Sequence, residues 1–228
     1  MGSDALFLVF DTSAAHCAAA VVRDDAILAE AVEPMARGQA EALVPLLQRI
    51  MAESGHDLTD LTALGVGIGP GNFTGTRIAV ATARGLALAL GRPAIGVSTF
   101  DLMRDPSGLG ADAAELISVP APREMAYVCQ YRHGTPHAAP RLIDPAEPPE
   151  DLRLPADMHI IGHRAAEIAR AFGAGHRETA LEDLPRRLGR VTEWKRRNRI
   201  DTGRRPAPLY VRPPDAAPPA DPPPALLP

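Results

Sequence analysis

Gly65-Val66-Gly67-Ile68-Gly69-Pro70-Gly71-Asn72-Phe73-Thr74-Gly75-Thr76-Arg77 is the stretch on which the fold turns. Residues 63–68 read as a buried strand, the glycines as a loop, and residues 76–90 as a long helix stopped by Gly91. Glycine permits φ > 0 and lets backbone N–H groups converge, while a helix N-terminus adds about half a positive charge. Two readings stay open here: an anion cradle, or a tight strand-to-helix corner in which Phe73 plugs the core. It is not a Walker A loop, because no Gly-Lys-Ser/Thr follows. Nor is it the dinucleotide fingerprint, since Asn72 stands where a third glycine is needed.

Upstream lie three apolar runs at residues 5–10, 17–22 and 26–32, separated by Asp11-Thr12-Ser13 and by Arg23-Asp24-Asp25. Turns this short make the strands antiparallel neighbours, because a parallel return needs about a dozen residues or more. From Gln39 the period changes: Leu43, Leu47, Ile50 and Met51 form one helical stripe, which Ser54-Gly55 ends. Downstream, residues 93–97 read as a strand and Ser98 as the N-cap of a short helix. The first ~100 residues are therefore predicted to run β-β-β-α-β-α-β, a hairpin sheet extended by parallel strands through helical crossovers.

The second half speaks more quietly. Residues 105–112 read as a linker, 116–119, 125–131 and 158–161 as strands, 164–172 as a helix, and 181–199 as a basic, moderately helical stretch. From Pro206 to Pro228 there are ten prolines, which exclude a regular helix or central strand. Pro208-Leu209-Tyr210-Val211-Arg212 is expected to dock and the rest after Asp215 to be a disordered tail. The expected units are 1–104, a reduced second lobe at 105–204, and a proline-rich segment at 205–228.

The 228 residues carry 46% hydrophobic and 23% charged residues, the balance of a globular protein, so wholesale disorder is excluded. A net charge of −4 argues against a chain that grips nucleic acid over a broad basic face. Cys17 and Cys129 lie far apart in apolar runs and read as reduced, packed thiols rather than a disulfide or zinc framework. No run reaches the ~20 apolar residues of a membrane span, and the N-terminus lacks the basic region of a signal peptide. A cytoplasmic protein is expected.

Asp11-Thr12-Ser13 is a second candidate: a carboxylate and two hydroxyls that either face a phosphate or satisfy their own backbone. The helix after the glycine loop is small-residued nearly all round, with Ala79, Ala83 and Ala87 among larger Val80 and Leu86. Burial within the domain and burial against a partner fit that pattern equally. His133/His137 and His159/His163 have the i, i+4 spacing of metal ligands. Pro136 breaks the first pair, Gly162 and a strand end separate the second, and neither carries the accompanying Glu. No metal is expected, and Asp201-Thr202-Gly203 is discounted as a second phosphate loop because no strand precedes it.

Taken together, Asp11-Thr12-Ser13, the helix at 39–51 with Pro45 inside it, Gly69-Pro70-Gly71-Asn72-Phe73-Thr74-Gly75-Thr76-Arg77, Gly96-Val97-Ser98 and Pro208-Leu209-Tyr210-Val211-Arg212 resemble the TsaB (YeaZ-type) family. Those proteins are bacterial subunits required to make threonylcarbamoyl-adenosine in tRNA. The resemblance covers residues 5–104 and 208–212 best. It implies an α/β, actin/Hsp70-like (ASKHA) fold on a ribonuclease H-like core, with two lobes and the second reduced. It implies a non-catalytic scaffold that partners the paralogue TsaD, with the ATPase TsaE, in N6-threonylcarbamoylation of adenosine 37. ATP is then expected to act at the partner subunits, and tRNA to be met only through the complex. A degenerate nucleotide loop would comprise Asp11, Thr12, Ser13, Gly69, Gly71, Asn72, Thr74 and Gly75. The partner or homodimer surface would comprise Leu43, Val44, Leu46, Leu47, Arg77, Ala79, Val80, Ala83, Arg84 and Ala87. Ala79, where the family more often has glycine, and Val119-Pro120-Ala121-Pro122-Arg123, where it has an Asp-Ala-Arg strand start, depart from the pattern. The alternatives are an ATP-dependent phosphotransferase or ATPase of the same fold, using Asp11, and a peptidase, for which no triad spacing is present.

Overall fold

In the computed structural model, residues 4–104, 114–152 and 157–211 are described. The linker expected at 105–112, Arg212 and the tail after it lie outside those residues.

The N-terminal sheet contains β1 (Leu6–Asp11), β2 (His16–Arg23), β3 (Ala26–Pro34), β4 (Ala63–Gly67) and β5 (Ala94–Val97) in the order β3-β2-β1-β4-β5. The three hairpin strands are antiparallel, and β4 and β5 add in parallel through crossover helices. Every residue of β1 is buried, which is why Leu-Phe-Leu-Val-Phe shows no alternation. One face is covered by α1 (Gln39–Ser54) and α2 (Phe73–Leu90), packed through Leu43, Leu47, Ile50, Ala79 and Ala83. Helix α1 ends on Gly55 and α2 on Gly91, both left-handed, where glycine avoids the Cβ penalty.

The second sheet repeats this plan. It holds β6 (Glu115–Pro120), β7 (Ala126–Arg132), the short β8 (Thr135–Pro136) and β9 (Arg141–Ile143), β10 (His159–Gly162) and β11 (Gly175–Glu178). Strand β6 is central, β7 pairs with it antiparallel, β9 pairs with β7, and β10 and β11 follow in parallel. The second crossover carries the helix α4 (Ala165–Phe172), and in the first the described residues form a 3-10 turn at Glu150–Leu152. Two copies of one strand order, the second with fewer helices among the described residues, make the actin/Hsp70-like (ASKHA) fold with a reduced second lobe.

The two units exchange helices. Helix α3 (Thr99–Met103), which follows the first sheet, buries Phe100 and Met103 against Ile117, Cys129 and Tyr131 of the second. Helix α5 (Leu184–Arg197), which follows the second, buries Leu188 and Val191 against Phe7, Val9, Ile95 and Val97 of the first. Gly65 and Gly189 allow that approach: a Cβ on Gly65 would overlap Thr192, and one on Gly189 would press on Val22. Packing thus divides the described residues from 114 to 204 between both cores. The amphipathic stripe of α5 announces a helix but not which sheet it covers.

Burial pushes the Cys17 thiol up to about 11, with Glu33 and Asp11 adding to it, and the Cys129 thiol up to about 12, with Asp101 adding. Both side chains are buried and unpaired. At pH 8 about one Cys17 thiol in a thousand is ionised, and the thiolate is the nucleophile. A colorimetric thiol reagent should therefore count no fast-reacting cysteine in the folded chain and two after denaturation; rapid reaction of either in the native state would contradict this burial.

Candidate functional site

The glycine loop and the β1–β2 turn are built against each other. Asp11 is buried, and its Oδ1 accepts from the Ser13 amide at 2.8 Å, the Ser13 hydroxyl at 2.9 Å and His16 Nε2 at 2.8 Å. Thr12 Oγ1 donates to the Gly75 carbonyl at 2.7 Å, and the Asn72 amide donates to the Ser13 carbonyl at 2.6 Å. Asn72 caps α2, its side chain accepting from the Gly75 amide at 2.9 Å. Two amides that an anion cradle would offer, those of Asn72 and Gly75, are thereby spent inside the loop.

The glycines serve contact more than conformation. Gly69 has φ +82, where a side chain is strained, but Gly71 and Gly75 do not share that region. A Cβ on Gly67 would overlap the Asp11 carboxylate, one on Gly71 the Ser13 carbonyl, and one on Gly75 the Thr12 carbonyl. The expectation of φ > 0 holds at Gly69, while close backbone approach explains the other two. Phe73 is not a core plug: it is 37% exposed. Its ring stacks on Tyr210 with centroids 5.1 Å apart, and the Arg77 guanidinium lies over it at 3.7 Å.

Tyr210 belongs to the docked C-terminal segment. The Leu209 amide donates to the Ile68 carbonyl at 2.8 Å, Arg77 Nε donates to the Tyr210 hydroxyl at 2.7 Å, and Arg84 Nε to the Pro206 carbonyl at 2.7 Å. Leu209 and Val211 pack on the second sheet's core. The segment therefore spans both lobes across the mouth of the loop.

Between the lobes, a cleft of about 320 Å³ is lined by Asp11, Ser13, His16, Gly71, Thr99 and His163, among others, over an apolar floor of Leu102, Met103 and Leu181. Its volume stands at the lower edge of the range for ligand pockets. Thr74 lies outside this cleft, exposed in the first turn of α2. His159 and His163 bracket β10, and His133 and His137 flank β8. Among the described residues no group of three His, Cys, Asp or Glu side chains is placed to hold a metal ion.

The surface read from the helices needs correction. Leu43, Leu46, Leu47, Ala79, Val80 and Ala83 are buried in this lobe's own core, and Ala87 packs against it. The six buried side chains are covered within the lobe itself, and Ala87 is partly covered. What faces outward is Val44 on α1, 49% exposed, and the stripe Ala81, Gly85, Leu88 on α2, with Leu88 82% exposed. Leu88 was missed because a small-residued helix hides its one protruding apolar side chain.

Sequence reasoning also missed a buried polar junction behind the cleft. Lys195 Nζ of α5 lies 2.8 Å from Asp101 Oδ2 of α3 and donates to the Gly96 carbonyl of β5 at 3.0 Å. Tyr131 of β7 donates to Asp101 Oδ1 at 2.8 Å. Burial pushes the Asp101 carboxyl up, but the Lys195 ammonium, the Ser98 amide and the Tyr131 hydroxyl together hold it below the usual carboxylate value. Beside it, buried Arg104 pairs with Glu115 at 2.5 Å and donates to the Gly134 carbonyl at 3.0 Å.

A family model described as "TsaD: tRNA N6-adenosine threonylcarbamoyltransferase" matches residues 27–200. The chain belongs to the TsaD family. Within the TsaD family its likeness is to the TsaB (YeaZ-type) proteins: it is 42% identical over 96 residues to the tRNA threonylcarbamoyladenosine biosynthesis protein TsaB of Escherichia coli (strain K12). That match covers 42% of this chain and 41% of the E. coli protein. An uncharacterized protein of Mycobacterium tuberculosis (strain ATCC 25618 / H37Rv) is 30% identical over 218 residues, 92% of this chain and 93% of its own. Among solved structures, an uncharacterized Pseudomonas aeruginosa protein with similarity to peptidase YEAZ shares the fold. Its TM-score is 0.66 at 24% identity, over 91% of this chain and 100% of that one.

Among the described residues, no helix is long and apolar enough to cross a membrane.

Proposed function

We propose that this chain is a non-catalytic subunit that holds TsaD in its working form, together with TsaE, for the threonylcarbamoylation of adenosine 37 in tRNA. The observation that carries the reading is the exposed apolar stripe of α2, Leu88 above all, on the outer side of the helical layer it shares with Val44 of α1. A helix apolar on two faces has surplus surface to bury, and Ala81 and Gly85 let another helix come close. The self-satisfied loop supports the same reading, since Asp11 is engaged by Ser13 and His16, the Asn72 amide by the Ser13 carbonyl and the Gly75 amide by the Asn72 side chain. In this role ATP acts at the partner subunits, and a second copy of the chain is the competing occupant of the stripe. The protein works in the cytoplasm.

The test is reconstitution. Modification of a tRNA transcript by TsaD and TsaE should rise when this chain is added, and the chain alone should neither hydrolyse ATP nor modify tRNA. Leu88→Arg, at a solvent-facing position, should leave melting unchanged while weakening TsaD binding by tenfold or more, about 1.4 kcal/mol or greater. Turnover by the pure chain that Asp11→Ala abolishes would instead favour the phosphotransferase. Unaltered TsaD affinity in Leu88→Arg would remove the stripe from the interface.

A further inference from the structure

Where the C-terminal half of α2 meets the turn following α5, a cleft of about 430 Å³ is lined by Arg84, Arg92, Arg204 and Arg205. The four arginines come from three separate stretches of the chain, all four are exposed, and no carboxylate is among the lining residues. In a protein of net charge −4, this is a local concentration of positive charge that the overall composition conceals. Arg84 Nε is held by the Pro206 carbonyl at 2.7 Å, and one Arg92 amino group by the Thr59 carbonyl at 3.4 Å. Each bond uses one of five guanidinium donors, so it orients the side chain while sparing the rest of its fork. Guanidiniums gathered without a counter-charge repel one another, and an anion that bridges them relieves that repulsion. The planar fork fits two oxygens of a phosphate.

We infer that this cleft receives the phosphodiester backbone of RNA, an inference that rests on the tRNA-modification reading above for the identity of the polyanion. The arginines line an open cleft rather than converging in a buried socket, which suits a chain of phosphates better than a single free one. No aromatic side chain lines it, so bases have nothing to stack on. Contact should therefore be salt-dependent and indifferent to sequence. Gly85 and Leu88 line one wall of this cleft, so RNA held by the arginines would meet the partner surface along that shared edge.

The experiment uses the full chain and a labelled tRNA transcript, with binding followed by fluorescence anisotropy between about 50 and 200 mM salt. Arg204→Ala combined with Arg205→Ala should weaken low-salt binding about tenfold or more and lower the log–log salt slope by about 1.4, from ~0.7 per phosphate contact. Thermal melting should not change, because both side chains are exposed. Equal binding by the double variant, or no binding by the wild type, overturns the inference. So does equally effective displacement of tRNA by inorganic phosphate at matched phosphate concentration, which would mark a small-anion site. A loss of TsaD affinity with tRNA binding intact would overturn it in favour of an acidic protein surface. Reconstituted modification separates the two readings. If the wild-type chain stimulates TsaD and the double variant still binds tRNA, the cleft inference falls alone. If these arginines bind tRNA but the chain never stimulates TsaD, the pathway reading falls alone.

Discussion

Lys195→Met should cost about 3–5 kcal/mol in chemical denaturation, because it strands the Asp101 carboxylate in a buried site without its cation. Both side chains of the pair are less than a tenth exposed, and the pair joins three elements: α5, α3 and, through Tyr131, β7. Methionine keeps much of the length of lysine and loses the charge, so packing loss is small and the electrostatic loss dominates. The pH dependence has a definite sign. Wild-type Asp101 titrates below its ordinary value of 3.8, so its contribution is complete above that value and fades as pH falls through the lowered one. In Lys195→Met the burial that opposes ionisation is no longer outweighed by an ammonium, so Asp101 takes up a proton at higher pH than before. The stability gap between wild type and variant should therefore be widest at neutral pH and narrow on acidification. A gap below about 1 kcal/mol at pH 7, or one that widens in acid, would show that the junction is not held by this ion pair.

That junction also marks where sequence reading stopped. The first sheet was legible because β1, β2 and β4 are apolar runs between polar turns, and α1 because its stripe repeats at helical spacing. The start of α2 was misplaced by three residues: Phe73-Thr74-Gly75 reads as loop, yet Asn72 caps the helix ahead of it. Strands β8, β9 and β11 were not foreseen. They are two to four residues long, and β11 (Gly-His-Arg-Glu) is exposed throughout, so no apolar pattern announces it. Nothing in the sequence singles out Lys195 or Arg104 as buried. Their burial follows from the exchange of α3 and α5 between the lobes, and local composition carries no trace of that. The loop was the reverse case. Its glycines were visible at once, but only the fold shows that they are pressed against Thr12 and Ser13.

Gly75→Ala and Gly85→Ala, two identical substitutions in one helix, are expected to act in opposite directions. On helix propensity alone, alanine is favoured over glycine by about 1 kcal/mol at either position. At Gly85 a Cβ would meet nothing within 4 Å, so Gly85→Ala should raise stability by about 0.5–1 kcal/mol. At Gly75 the same Cβ would land on the Thr12 carbonyl, a backbone atom that no rotamer change can move aside. Thr12 is further pinned by its own hydroxyl bond to the Gly75 carbonyl and by the buried strand that precedes it. Relief therefore requires the turn at Asp11-Thr12-Ser13 to separate from α2, with overpacking costs of about 1–3 kcal/mol that exceed the propensity gain. Urea denaturation of the two variants beside the wild type reads both signs in one experiment. If Gly75→Ala proves as stabilising as Gly85→Ala, the β1–β2 turn yields freely, and the rigid contact that consumes the loop's amides is not what holds α2 to the sheet.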